Sequence, residues 1–213
     1  MRNHPKLAMI GEAYETIDVD GRVWKTQFPA RSPADVRDAL NRNNCIAHSS
    51  VMIRRNILER FPGPYRSHFP LAEDYDLWLR IAAEYEIGNC ADVVLQYRRD
   101  LETTDPERIV QQTLSTLGVQ LSKDDRAKNI ADRAIEWKKI DFKTLLDQGV
   151  SDHILRESIC RAVLSEARLA MKQGFRNQSR RLINFTSRYR PKHEGLRPQI
   201  DYLWRTMRAR FAW

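Results

Sequence analysis

The stretch Leu71-Ala72-Glu73-Asp74-Tyr75-Asp76-Leu77-Trp78-Leu79-Arg80-Ile81-Ala82 decides how the first half of this chain is read. Phe69-Pro70 leads into it, so Glu73 and Asp74 are expected in the first turn of a helix, where unpaired backbone N–H groups and the helix dipole favour carboxylates. Leu77, Trp78, Ile81, Ala82 and Tyr85 recur at helical spacing and make one buried stripe; traced back one turn, the stripe lands on Glu73 and Asp74. Asp76 falls off it. Arg80 and Glu84 follow Asp76 at four-residue steps, a row of alternating charge that is expected to face water. Spacing leaves two readings of the acid pair open. Either it caps the helix at the rim of the core, or the stripe opens onto a cleft where the dipole keeps Asp74 ionised and able to accept a proton.

Working outward, residues 7–14 and 22–28 read as two short strands joined at Asp18-Val19-Asp20-Gly21, a tight hairpin signal. Ser32-Pro33 followed by Asp35 starts a short helix that stops near residues 41–44. Residues 46–53 are rich in β-formers and predict a strand with His48 at its start; residues 56–61 predict a helical piece broken by Pro62-Gly63-Pro64. His48-Ser49-Ser50 offers no hydrolase chemistry, because neighbours on a strand point to opposite faces and no nucleophile elbow is present. Residues 62–70 form a loop carrying Tyr65, Arg66 and His68 into the acid pair, and residues 87–91 turn the chain into a strand over 93–98. A loop that feeds a helix N-terminus can complete a site, so Arg66 and His68 are candidate acceptor or phosphate contacts, with solvent exposure the alternative.

Four pieces of this region occur in an order that resembles the second half of the catalytic domain of family 2 glycosyltransferases, which have the GT-A fold. They are Ala8-Met9-Ile10-Gly11 running into Ile17-Asp18-Val19-Asp20-Gly21, then 44–55, then Glu73-Asp74-Tyr75-Asp76-Leu77-Trp78-Leu79-Arg80, and last Val94-Leu95-Gln96-Tyr97-Arg98. The resemblance implies an α/β, partial GT-A (nucleotide-diphospho-sugar transferase-like) half-domain over residues 1–103. It implies an inverting transfer of sugar from a nucleotide-sugar to an acceptor hydroxyl, with Asp74 as catalytic base and Glu73 orienting or supporting it. His48 on the acceptor-side wall becomes a candidate substrate contact beside the plain reading as a structural polar residue. Tyr97 and Arg98 join the candidates, because their strand is expected to end near the site.

Similar enzymes use a divalent cation, Mg²⁺ or Mn²⁺, and carry His two residues after the Tyr-Arg pair; this chain has Asp100 there, an oxygen donor that could ligate such an ion. The family's nucleotide-binding half, with its Asp-x-Asp metal ligands, would precede residue 1 and is absent from this sequence. The chain is therefore expected to be a fragment, a mis-started product or a remnant, with little or no transferase activity by itself.

Composition bounds the rest. With 213 residues, 42% of them hydrophobic, the chain can bury a core. No apolar run approaches a membrane span and no leader pattern opens the sequence, so a cytoplasmic location is expected. Cys45, Cys90 and Cys160 are scattered and lack metal-ligand spacing, so reduced thiols are expected. Charge is uneven: residues 1–104 carry 14 Lys and Arg against 15 Asp and Glu, net −1, which leaves 22 against 13, net +9, for the remainder.

That basic remainder, 104–213, reads as an all-α extension with helices near 104–117, 123–138, 142–146, 152–173 and 176–187. Its 165–183 stretch resembles a single tetratricopeptide-type hairpin, too little for a repeat array. At the end, Ile200, Leu203, Trp204, Met207 and Phe211 share a helical face while Arg205, Arg208 and Arg210 crowd the rest. Such a helix suits either docking on the protein or an anionic membrane, at the inner face where lipid-linked acceptors sit. Implied partners are thus a nucleotide-sugar, a saccharide or lipid-linked acceptor, and a membrane surface through 199–213; no zinc, helix-turn-helix or RNA-binding signature supports nucleic acid. The alternative to a transferase is a noncatalytic helical interaction or membrane-surface module on a degenerate remnant.

Overall fold

A computed structural model describes residues 4–190 of the chain. The protein is α/β, and it divides into two compact units, one holding Met1–Asp100 with Val119–Glu136 and the other Leu101–Gly118 with Trp137–Trp213.

The first unit is built on a mixed four-stranded sheet. Strand β1 (Leu7–Ile17) is central: β2 (Val23–Gln27) and the two-residue β3 (Met52–Ile53) pair with it antiparallel, and β4 (Glu86–Arg98) pairs with it in parallel. Residues Tyr14–Ile17 pair with both β2 and β4, so those two strands lie on opposite edges of β1, and β3 shares the β2 edge. The β1–β2 turn is fixed as its sequence predicts. Asp18 Oδ1 accepts from the N–H groups of Asp20 at 2.9 Å and Arg22 at 2.8 Å, and Gly21 takes φ +88°. At Gly11 the sheet needs a missing side chain, since a Cβ would stand 2.3 Å from Asn89 Oδ1 and 2.8 Å from Ile46 Cγ2.

Helix α1 (Pro33–Arg42) starts where Ser32 accepts from the Asp35 N–H at 3.2 Å, with Pro33 at its first position. After the four-residue α2 (Arg55–Leu58), helix α3 (Glu73–Glu84) buries Leu77, Trp78 and Ile81 completely, against α1 and β4. At about 25 cal/mol per Å² of apolar surface, each such side chain contributes roughly 1.5–3 kcal/mol of burial.

Three local expectations are corrected. Residues 87–91 do not turn the chain; they are part of β4, which pairs with β1 from Leu7↔Glu86 to Ile17↔Arg98 and absorbs extra residues in irregular steps beyond Asn89. The expected 46–53 strand shrinks to Met52–Ile53, because His48–Ser50 forms a 3-10 turn in which Ser50 returns both its N–H (3.0 Å) and its hydroxyl (2.9 Å) to the Ala47 carbonyl. Asp76 does not face water. It is 0% exposed, and its physical reason is the ion network described below.

Helix α4 (Pro106–Ala127) runs straight through Gly118, where a break is expected from sequence, and the division between the units falls within it. The residues after it do not continue a helix to 138. Asp125 instead accepts from the Arg133 backbone N–H at 3.1 Å and side chain at 2.8 Å, folding 128–133 back before a 3-10 turn at Arg133–Glu136. Val119–Glu136 thus belongs with the first unit, although the sequence boundary at 103/104 assigns it to the helical extension.

The second unit is helical. Helix α5 (Phe142–Asp147) is capped by Asp141 and α6 (Asp152–Lys172) by Ser151. Gly174 at φ +88° turns the chain into α7 (Arg176–Phe185), which packs on α6 through Ala167 and Ala170 while Ser179 donates to the Ala167 carbonyl at 2.8 Å. The amphipathic helix expected at 199–213 lies outside the described residues. No helix among the described residues is long and apolar enough to cross a membrane. All three cysteines are free, and burial lifts the Cys160 thiol to about 11.

Candidate functional site

Asp74 sits in the first turn of α3, half-buried beside Glu73. Its two oxygens have separate donors: Oδ1 accepts from the Tyr75 N–H at 2.7 Å and Oδ2 from Asn44 Nδ2 at 3.1 Å. Burial pushes the Asp74 carboxyl above its ordinary range; the Tyr75 N–H, the charge of His48 and the Asn44 amide pull against it without restoring it. The result is a carboxylate that binds a proton more readily than a solvated one, held in a fixed orientation.

Around it the surface is open and polar. His48 and Asn44 are exposed, and Tyr65 keeps 43% of its surface in solvent. His48 Nε2 and the Tyr65 hydroxyl are 3.1 Å apart, their rings tilted at a centroid distance of 5.3 Å. The fully buried Trp78 ring stands nearly perpendicular to His48, at a centroid distance of 5.9 Å. Helix α3 therefore supplies the acids and Trp78, the 3-10 turn supplies His48, and the 62–70 loop supplies Tyr65. Asn44 and Tyr65 were not singled out by sequence reasoning. Asn44 is 30 positions from its partner, and Tyr65 lies in an irregular loop with no period to mark its direction.

Arg66, next to Tyr65, has a different set of partners. Its Nε donates to Asp76 Oδ2 at 2.8 Å, its Nη1 to Asp132 Oδ2 at 2.8 Å, and its Nη2 to Ser122 Oγ at 2.9 Å and to Asp76 Oδ1. Arg80 pairs with Asp76 Oδ2 at 3.0 Å, and Arg126 with Asp132 at 2.9 Å. Asp76 is thus the hub of an internal ion network and Arg66 is committed to it, which corrects the expectation of a substrate contact at Arg66. His68 stands beside the same network with its ring 4.5 Å from Phe69; burial and then the Arg66 charge hold its imidazole below the usual range, hence neutral at pH 7.

Tyr97 meets Tyr14 edge-on at 6.5 Å, and Arg98 donates to the carbonyls of Asp18 at 2.9 Å and Val19 at 2.7 Å, closing the β1–β2 turn. Among the described residues no hydrogen bond, ion pair or ring contact joins either of them to Asp74. Asp100 is exposed beyond the end of β4. No group of three or more His, Cys, Asp and Glu able to hold a metal occurs among the described residues.

No protein-family model matches the sequence, and no curated protein matches it.

Proposed function

We propose that the first unit is the acceptor-side half of a family 2, GT-A-type glycosyltransferase, in which Asp74 removes the proton from an acceptor hydroxyl as that oxygen attacks the anomeric carbon of a nucleotide-sugar. The observation that supports this reading is the Asp74 carboxylate itself: half-buried, oriented by Asn44 and the Tyr75 N–H, and bordering an open surface set with His48 and Tyr65. A positioned base whose affinity for protons exceeds that of a solvated carboxylate is what hydroxyl activation needs, and general-base catalysis of this kind is worth about 10²–10⁴-fold.

In this reading Asn44 and the Tyr75 N–H fix the direction of the Asp74 lone pairs, and the neighbouring Glu73 carboxylate favours the proton's arrival. Every step assigned here falls on this chain's own side chains.

The test is sugar transfer from radiolabelled nucleotide-sugars by the chain supplied with a family 2 donor-binding half, wild type against Asp74→Asn; the chain by itself is expected to show little or none. Transfer is expected to fall about 10²–10⁴-fold in the variant. Equal rates in both, or no transfer from any donor, would instead support the noncatalytic module.

A further inference from the structure

We infer that the acceptor taken by this site is an uncharged glycan hydroxyl, with the Tyr65 ring as the platform for the acceptor's pyranose, and not a phosphate-bearing acceptor head. The inference rests on the transferase reading of Asp74 and specifies its substrate class.

Three features carry it. First, Tyr65 is both exposed and fixed: 43% of its surface is open, yet its hydroxyl is bonded to His48 at 3.1 Å, and His48 itself meets the buried Trp78 ring. An aromatic side chain held still with its ring in water has little conformational entropy left to lose on binding. Its negatively charged π-face suits the C–H bonds of a pyranose, which carry partial positive charge, while its polar tip remains for a ring hydroxyl.

Second, the two carboxylates of the acid pair act on Tyr65. Burial is the largest reason that the Tyr65 phenol holds its proton more tightly than usual, and the charges of Asp74 and Glu73 are the next two. A phosphate brought to the same place would meet the same two carboxylates, whereas a neutral hydroxyl meets acceptors for its proton.

Third, the nearest arginine in sequence is unavailable to neutralise an anion. The Arg66 guanidinium spends its donors on Asp76, Asp132 and Ser122. Sites that recognise phosphate present such a fork to the ligand; here it is bound internally.

The experiment is NMR titration of the whole chain, following the ring resonances of Tyr65 and His48, with methyl α- and β-pyranosides as neutral probes and the corresponding sugar 6-phosphates as anionic ones. Neutral glycosides are expected to shift both rings saturably, and the 6-phosphates to bind about tenfold more weakly. Tyr65→Ala should weaken glycoside binding by about tenfold or more, while Tyr65→Phe, which keeps the ring, should weaken it only a few-fold. Sugar phosphates binding as tightly as the glycosides, glycosides that bind without moving Tyr65, or no saturable shift at tens of millimolar would each overturn the inference.

The outcome is separable from that of the transferase reading. If Asp74→Asn abolishes transfer but Tyr65→Ala leaves glycoside affinity unchanged, the platform is wrong and the base stands. If glycosides bind at Tyr65 and Asp74→Asn leaves transfer intact, the base is wrong and the platform stands.

Discussion

At the scale of the residue, burying Asp74 costs stability at neutral pH. Its carboxyl is raised in the folded state, chiefly by burial, so folding favours the protonated form: its contribution to stability is most favourable at low pH and is lost as pH rises from the ordinary 3.8 through the folded value. Asp74→Asn keeps an oxygen for the Tyr75 N–H and removes the charge. It is expected to leave the melting temperature at pH 7 unchanged or to raise it by about 0–3 °C, roughly 0–1 kcal/mol, read by calorimetry beside the transfer assay. The acid pair was legible because first-turn carboxylates before an apolar stripe have a one-dimensional signature. Asn44 and Tyr65 were not, since nothing in a turn or an irregular loop says which side chain reaches the helix 30 or nine positions on. For the same reason the adjacent Arg66 could not be told from Tyr65 as a candidate, though one bonds Asp76 and the other His48, both near the first turn of α3.

At the scale of the element, α3 is buried on more of its circumference than its stripe announces. Leu77, Trp78 and Ile81 face the sheet side as their period requires, but Asp76 is also at 0% exposure, under Arg66, Arg80 and the segment carrying Ser122 and Asp132. A charged residue off the apolar stripe normally faces water; here later parts of the chain cover it, and no local pattern could foretell that. The strand ends and helix starts at Gly21 and Ser32 were readable, because local hydrogen bonds fix them.

Removing one partner of a buried ion network strands the others, at about 3–5 kcal/mol. Asp76→Asn should therefore lower the melting temperature by roughly 6–20 °C for a chain of this size, whereas the exposed Arg22–Asp20 pair should be replaceable within about 0.5 kcal/mol. The network also sets the acid limit. Burial alone would raise Asp132, but hydrogen bonds from Ser122 and Arg66 outweigh it and hold it low; Arg133 lowers Asp125; and in the other unit Lys139 brings Asp141 to about 2. Carboxyls depressed on folding contribute stability that is complete above the ordinary 3.8 and fades as pH falls toward about 2. A urea midpoint that declines steeply across that window, against the weaker opposite trend from Asp74, is the expected result.

At the scale of the whole molecule, the composition break near residue 104 and the structural division are not the same boundary. Sequence charge separates a near-neutral beginning from a basic remainder, yet Val119–Glu136 is part of the first unit. A polypeptide ending at residue 103 lacks Ser122, Asp132 and Arg126 and leaves Arg66 and Asp76 without them. It is expected to show no cooperative thermal transition by circular dichroism, whereas one ending at residue 136 should show one; cooperative unfolding of the shorter piece would mean the network is dispensable. This discontinuity bears on how the protein is made. When residue 100 is added to the growing chain, Asp132, the second carboxylate partner of Arg66, has yet to be synthesised, and about 36 further residues must follow, roughly two to seven seconds at ordinary elongation rates. During that interval Arg66 and Arg80 can meet Asp76 but the side chains that cover and complete the cluster are missing, so nascent-chain recruitment of a chaperone should peak between those two lengths.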